Sequence, residues 1–413
     1  MSREKIVVGL EVGTSKVCAV VGELRADGTI NIIGIGQCPA RGVRKGEMVD
    51  FDNALACIRR ALADAEESAG IEIRSVYAGI TGGHIRSFNN RGLVPITSED
   101  RDITEEDVES VMKNARAIDI PVENSVVHAI RQHFHIDGQD GVLNPVGMLG
   151  SRLEADVLVI HGMRNRLQNT IRCIRTVPVE VDDVVLCGLA SALAVLNREQ
   201  KEMGALVIDM GGGTTDFAVY VQGVVRHTGI LAVGGDHISN DLHLGLKIPL
   251  NRADKLKREQ GSCLIDDLAK GQTVTLPGEM GLSERTVSKD SLQRIIHLRL
   301  REMLEVIART IDKQKLTEFI GSGVFITGGG SHMRDLGKLA EEIFGLPVHI
   351  KPSATVAGLT KALDKPELAT AIGIVMYGLA SQRTVAPSPL KMSLGDIGKN
   401  LRGLLAKVRM FLW

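Results

Sequence analysis

The stretch that most limits what this chain can become is Leu206-Val-Ile-Asp-Met-Gly-Gly-Gly-Thr-Thr-Asp-Phe-Ala-Val-Tyr220. An apolar run from Leu206 to Ile208 reads as a buried strand, breaks at Gly211-Gly212-Gly213, and resumes as a second strand from Phe217 to Val221. Three glycines leave no side chain in the way, so successive backbone N–H groups can turn toward an anion. Thr214 and Thr215 follow them. Asp209 and Asp216 flank the turn, which suits holding a hydrated divalent cation against the same anion. A tight hairpin with polar decoration would use the same residues, and this stretch alone does not separate the two readings.

Near the N-terminus, Val7-Val-Gly-Leu-Glu-Val-Gly-Thr-Ser-Lys-Val-Cys-Ala-Val-Val21 repeats the layout, with Gly13, Thr14, Ser15 and Lys16 in the turn and Glu11 as the acid. A third element, Val324-Phe-Ile-Thr-Gly-Gly-Gly-Ser-His332, is a buried strand ending in a platform of Gly328, Gly329 and Gly330, before a helix expected near Met333. Two clasps followed by a strand, a glycine turn and a helix form a far more specific signal than any one of them. This order resembles the superfamily of actin, heat-shock chaperone ATPases and sugar kinases, with phosphate loops at 9–18 and 207–219 and an adenosine loop at 325–331. The resemblance implies an α/β, actin-like two-lobed ATPase fold made of duplicated ribonuclease H-like domains. It also implies ATP held by the three glycine turns, with Mg²⁺ near Glu11, Asp209 and Asp216.

At 413 residues the chain is long enough for two domains or more, and 24% charged with 44% hydrophobic residues describes an ordinary soluble protein. A net charge of −1 gives no global attraction to nucleic acid, which is not expected as a partner, so any anionic partner must meet a local patch. The six cysteines (18, 38, 57, 173, 187 and 263) contain no CxxC pair and suit reduced core thiols better than disulfides or zinc. The opening MSREKIVVGL runs straight into a strand, as expected of a protein that is made and stays in the cytoplasm.

Taken in order, residues 1–83 and 162–200 are expected to form a first actin-like lobe, including a helix from Asn53 to Ser68 and a strand from Ser75 to Ile80. Residues 84–161 read as an inserted α+β protein-interaction subdomain. Its helix, running to about Ala117, opens on the capping box Thr104-Glu105-Glu106-Asp107. Strands from Ser125 to Ile136 and from Leu153 to Ile160 follow. His128, His133 and His135 are read as solvated strand histidines, since no acid or cysteine cluster accompanies them to make a metal site. Residues 201–381 form the expected second lobe, with a peripheral subdomain at about 230–305.

The Ala-rich helix from Leu186 to Asn197 and the small-residue run from Pro366 to Gly378 suit helices crossing between the lobes. Well-catalysing members of the superfamily place a Gln or Glu just before the first of these, to orient the attacking water. Here Leu186, Cys187 and Gly188 stand there, and Glu11 replaces the usual Asp, so ATP binding with weak or no hydrolysis is expected and no catalytic residue is assigned. Gly234 and Gly235 open a helix whose N-terminus reads as another anion site, and Lys257 is a candidate for the ribose. The long helix from Ser288 to about Leu316 exposes Arg294, Arg299 and Arg301, either solvated surface or a dock for an acidic peptide.

After residue 381 the pattern changes. Residues 382–393 carry the Pro/Ser punctuation of a linker, and residues 394–413 read as an amphipathic helix. At 100° per residue, Ile397, Leu401, Leu404, Leu405, Val408, Phe411 and Leu412 fall within an arc of about 120°. Lys399, Arg402, Lys407 and Arg409 lie outside that arc, with Trp413 at the boundary. Apolar wedge, flanking cations and terminal Trp are the pattern of a helix lying in an anionic membrane interface, a docked or partner-bound terminal helix being the alternative.

Actin-like core, insert and terminal amphipathic helix together resemble the FtsA family of bacterial cell-division actin homologues, over the whole chain. That resemblance implies a peripheral protein on the cytoplasmic face of the inner membrane at the division site, polymerising with itself. It implies binding of the FtsZ C-terminal tail through about 230–305, with Arg294 and Arg299 as candidates, and recruitment of later division proteins through 84–161. A pilus-assembly actin-like adaptor or a small-molecule phosphotransferase would share the core; the adaptor would lack the membrane helix, and a kinase would need a catalytic acid that is not found.

Overall fold

The computed structural model describes residues 5–383 except 99, 267–269, 279–283, 354–355 and 359–363. The expected linker beyond 383 and the amphipathic helix at 394–413 lie outside the described residues.

Two five-strand frameworks repeat one topology. In the first, the hairpin β1 (Lys5–Val12) and β2 (Lys16–Leu24) continues into β3 (Ile30–Pro39), while β6 (Ser75–Ile80) and β11 (Glu180–Leu186) extend the sheet in parallel on the other side of β1. In the second, β12 (Ala205–Met210), β13 (Thr215–Val221) and β14 (Val224–Leu231) are antiparallel, and β17 (Val324–Thr327) and β18 (Val348–Ile350) follow in parallel beyond β12. Both read 3-2-1-4-5, so the chain holds a duplicated unit. Nearly continuous burial along β2, β12 and β13 reflects sheets covered on both faces.

Helices α1 (Phe51–Ala69) and α3 (Arg164–Arg175) cover one face of the first sheet through Ala54, Ile58, Ala61, Leu62, Cys173 and Ile174. Between β3 and α1 lies a two-residue-strand hairpin, β4 (Val43–Arg44) and β5 (Glu47–Met48). The second lobe carries α6 (Gly235–Leu246), α7 (Leu250–Gln260), the hairpin β15 (Thr273–Leu276) and β16 (Arg285–Ser288), α8 (Lys289–Lys313) and α9 (Leu336–Phe344), joined through Leu242, Leu256, Leu292, Ile296, Leu300 and Leu304.

The crossing helices are exchanged. The helix α4 (Cys187–Val195) leaves the first sheet and packs on β12 and β13; short α5 (Arg198–Met203) links it onward. At the other end β19 (Val356–Gly358) pairs with β3, and α10 (Ala369–Arg383) packs on β1 and β2. The second lobe therefore does not run to 381 as expected from the sequence: from 356 the chain has returned to the first. Gly373 makes the crossing possible, since a methyl there would sit 1.8 Å from the Ala190 carbonyl oxygen.

The insert is a sheet in the order β7 (Arg86–Pro95), β10 (Arg152–Met163), β8 (Asn124–Ile136), β9 (Gln139–Val142), with α2 (Glu105–Arg116) packed on one face through Val111, Met112 and Ala115. The capping box forms: Thr104 N–H donates to Asp107 Oδ2 at 2.9 Å, and Asp107 N–H to Thr104 Oγ1 at 3.3 Å. Two readings need correction. The strand β7 was not expected, because Arg86-Ser-Phe-Asn-Asn-Arg lacks apolar alternation; ten register pairs with β10 create it. Nor are the histidines solvated. His133 and His135 are buried, His135 bridging Asp140 and Asp156 at 2.6 and 2.9 Å, and His128 Nε2 accepts from Leu186 N–H at 3.1 Å.

Candidate nucleotide cleft

The two hairpin turns are closed by the same bond. Gly13 N–H donates to the Lys16 carbonyl at 2.9 Å, and Gly211 N–H to the Thr214 carbonyl at 2.9 Å. Their tips nearly touch across the lobes: a methyl on Gly213 would lie 2.4 Å from Thr14 Oγ1, and one on Gly212 3.0 Å from Ser15 Cβ. The third glycine element is a 3-10 turn, Gly329–His332, and the expected helix follows it as α9 from Leu336. Gly328 enters this turn at φ +82°, where a methyl would meet Asp209 Oδ1 at 2.3 Å.

Together these turns surround a cleft of about 980 Å³ between the lobes. That is at the upper end of the range for small-molecule sites. It is lined by Glu11, Gly13, Thr14, Ser15, Lys16, Asp209, Gly211, Gly212, Gly213, Thr214, Asp216, Gly235, Lys257, Gly328, Gly329 and Gly330. Thr215 is absent from the lining, its hydroxyl committed to the Val233 carbonyl at 2.9 Å inside the sheet. Gly234 is also off the surface, wedged against the Gly211 and Gly212 carbonyls. Nor is the N-terminus of α6 an open anion site: Gly235 N–H donates to Gly211 O at 2.9 Å and Asp236 N–H to Gly212 O at 2.8 Å. Those bonds lock the second clasp to α6 instead.

Each acid is held by a group far away in sequence. Asp209 accepts from Thr370 Oγ1 at 2.6 Å and from the Ser191 hydroxyl, so both crossing helices grip it. Asp216 accepts from Thr81 Oγ1 at 2.7 Å. Burial first, then the facing Asp209, push the Asp216 carboxyl up to about 7. Lys16 Nζ lies 2.7 Å from Glu11 Oε2; burial works against its charge, but Glu11 and other nearby groups hold the amine above its ordinary range. Around the two clasps stand three carboxyl groups, those of Glu11, Asp209 and Asp216, with Lys16 as the ion-pair partner of Glu11. Among the described residues no three acidic, His or Cys side chains converge to ligate a metal directly. Asp209 and Asp216, paired across the hairpin and both lining the cleft, are the carboxyl groups that could accept from the water shell of a divalent cation.

Lys257 lines the cleft but offers little, since its three protons serve Gly235 O at 2.9 Å, Ser239 Oγ at 2.8 Å and Asp254 Oδ1 at 2.9 Å. Asp254, beside it, faces the cleft as an acceptor. Of Leu186, Cys187 and Gly188, which stand where the superfamily places its water-orienting Gln or Glu, Cys187 lines the cleft, and burial, with Asp216 next, raises its thiol well above the ordinary value, so it stays neutral. Arg294 and Arg299 lie on α8, outside the cleft. Arg299 grips Asp241 at 2.6 and 3.1 Å and Glu302 at 2.6 Å, and Arg294 pairs with Asp290 at 2.9 Å. Thr370, Thr81, Asp254 and the His332–Glu367 pair at 2.9 Å line the cleft, and buried Ser191 holds Asp209 from behind it; none of them was singled out for the site from the sequence. No local spacing marks them.

Solved structures share this architecture. A chain of the PilM–PilN type IV pilus biogenesis complex aligns with TM-score 0.63 at 17% identity, covering 90% of this chain and 98% of that one. MreB5 of Spiroplasma citri bound to ADP aligns with TM-score 0.56 at 13% identity, covering 92% and 98%. At such identities the likeness is one of fold alone, the two-lobed actin-like fold. A profile described as "SHS2 domain inserted in FTSA" matches residues 82–161, and one described as "Cell division protein FtsA" matches 206–373. The chain is 39% identical over 378 residues to the cell division protein FtsA of Pseudomonas aeruginosa, covering 92% of this chain and 90% of that protein. With FtsA of Escherichia coli strain K12 it shares 34% identity over 412 residues, 98% of each. The chain belongs to the FtsA family of cell division proteins.

Proposed function

We propose that this chain binds ATP with Mg²⁺ in the cleft, assembles with itself like actin, and tethers the FtsZ ring to the cytoplasmic membrane. The observation that carries the nucleotide part is the meeting of two turns closed by the same hydrogen bond, with Gly328 against Asp209 and with Asp209 and Asp216 paired behind the second turn. The glycine turns of both lobes line the cleft and would cradle the phosphates, and Lys16, kept charged by Glu11, would supply a cation beside them. Mg²⁺, when bound, would neutralise phosphate and carboxylate charge together; Asp209 and Asp216 would accept from its waters. Cys187 cannot take a proton from, or orient, an attacking water, so hydrolysis is weak and the nucleotide serves assembly.

The membrane part rests on the amphipathic pattern of residues 394–413 and on family membership. No helix among the described residues is long and apolar enough to cross a membrane. One short interfacial helix binds weakly, and assembled copies gain avidity of about 10²-fold or more. The FtsZ tail would reach the subdomain around α8, near Arg294 and Arg299, and later division proteins the insert at 84–161. Sedimentation with anionic liposomes, with and without ATP and Mg²⁺, tests this on the full chain and a version ending at Ser393. The full chain should pellet, more so with nucleotide, and the truncation should stay soluble. If both stay in the supernatant under every condition, the tether is wrong.

A further inference from the structure

The helix α3 carries four arginines and no acid, a combination found in no other described helix. Its inner side is fixed by Cys173 and Ile174 against the first-lobe sheet and α1, and by Leu167 in the neighbouring core. On the opposite side Arg164, Gln168, Arg172 and Arg175 are all exposed. At 100° per residue these four fall within an arc of about 80°, a stripe about 16 Å long. Arg166, off the stripe, is spent on Glu47, and Arg164 donates to the Asn124 carbonyl at 3.3 Å. Arg172 and Arg175 make no ion pair among the described residues.

The stripe's position adds to its charge. The C-terminal end of α3 feeds the start of β11, which pairs with β6 from Glu180↔Ser75 onward. The helix α10 runs back along β1 toward the same end of the sheet, Gly9 packing near Ala371 and Val7 near Gly378. The described part of α10 therefore ends at the end of the first lobe where Arg172 and Arg175 lie, and thirty residues follow it in the sequence. Their own cations, Lys399, Arg402, Lys407 and Arg409, have the same complement.

We infer that the arginine face of α3 is a second, electrostatic contact with the anionic membrane surface that the C-terminal segment engages. This rests on the tether proposed above and extends it: the tail supplies apolar burial, and α3 sets which side of the first lobe faces the lipid. Each basic residue near an anionic surface is worth about 1 kcal/mol, so a few shift affinity by one to two orders of magnitude, and added salt weakens the effect by shortening the Debye length over which it decays.

Sedimentation of the full chain with phosphatidylglycerol-containing vesicles tests it, comparing wild type, the pair Arg172→Glu/Arg175→Glu, and the pair Arg309→Glu/Lys313→Glu on α8 as an equal charge change on the other lobe. The α3 pair should weaken binding about tenfold or more at about 0.1 M salt, with the difference vanishing at high salt. The α8 pair should bind as wild type. Equal binding by the α3 pair and wild type, or equal losses in both pairs, overturns the inference and leaves the stripe to an acidic protein segment. The chain ending at Ser393 separates the two proposals: if it still binds and the α3 pair abolishes that residual binding, the tail reading fails while the α3 contact stands.

Discussion

Asp209 and Asp216 are directly opposed partners across the β12–β13 hairpin, whereas the same register in the β1–β2 hairpin sets Glu11 opposite Cys18. The duplicated clasps are thus unequal. Like charges facing each other on one side of a hairpin repel, and this pair is tolerated because hydroxyls from Ser191, Thr370 and Thr81 reach it. In the first clasp the single carboxylate is met by Lys16.

A pH signature follows from Asp216. Its folded value is raised from 3.8 to about 7. A carboxyl that binds its proton more tightly in the folded state stabilises the fold fully below the unfolded value and loses that contribution as pH rises through the folded one. The ligand-free protein should lose this contribution between those limits, and Asp216→Asn should abolish it. Urea midpoints taken at several pH values check this; a wild-type-minus-variant difference that is flat with pH sinks it.

Removing one hydroxyl from Asp209 should cost about 1–3 kcal/mol, the price of an under-satisfied buried carboxylate. Ser191→Ala and Thr370→Val share that acceptor, so their effects should be non-additive by more than about 0.5 kcal/mol in a double-mutant cycle. Additive losses would mean the two crossing helices do not meet through Asp209.

Gly328→Ala combines a left-handed backbone with a methyl driven into Asp209, and should reduce binding of a fluorescent ATP analogue at least about tenfold while lowering stability by about 1–3 kcal/mol. Gly345→Ala is the control: φ is +64° there too, but nothing lies within 4 Å. It should lose stability without affecting nucleotide. Unchanged nucleotide binding by Gly328→Ala would remove the third turn from the site.

Cys187→Gln places an amide beside Asp216 where wild type has a neutral thiol. Phosphate release from ATP should be slow in wild type and rise about tenfold or more in the variant, at similar nucleotide affinity. If the variant binds ATP but turns over no faster, the lost amide is not what limits hydrolysis.

Periodicity located most elements to within a few residues, because apolar runs and glycine breaks act over a few positions of chain. It missed β7, whose polar sequence is a strand only through pairing with β10, and three-residue β19, which depends on β3. It also opened the N-terminus of α6 to an anion when the second clasp's own carbonyls fill it.

What the sequence by itself determined is the pair of glycine clasps with their acids, the capped insert helix, the neutral residue at 187 and the family. Each rests on residue types a few positions apart, where backbone freedom and strand or helix period decide the outcome. Tertiary structure alone decided which groups hold those acids. Thr370 meets Asp209 across 161 residues, beside Ser191, because α4 and α10 change lobes and carry their hydroxyls with them, and Thr81 meets Asp216 across 135 residues from the turn that follows β6. No local pattern encodes such a meeting; it arises only when the two sheets close on each other.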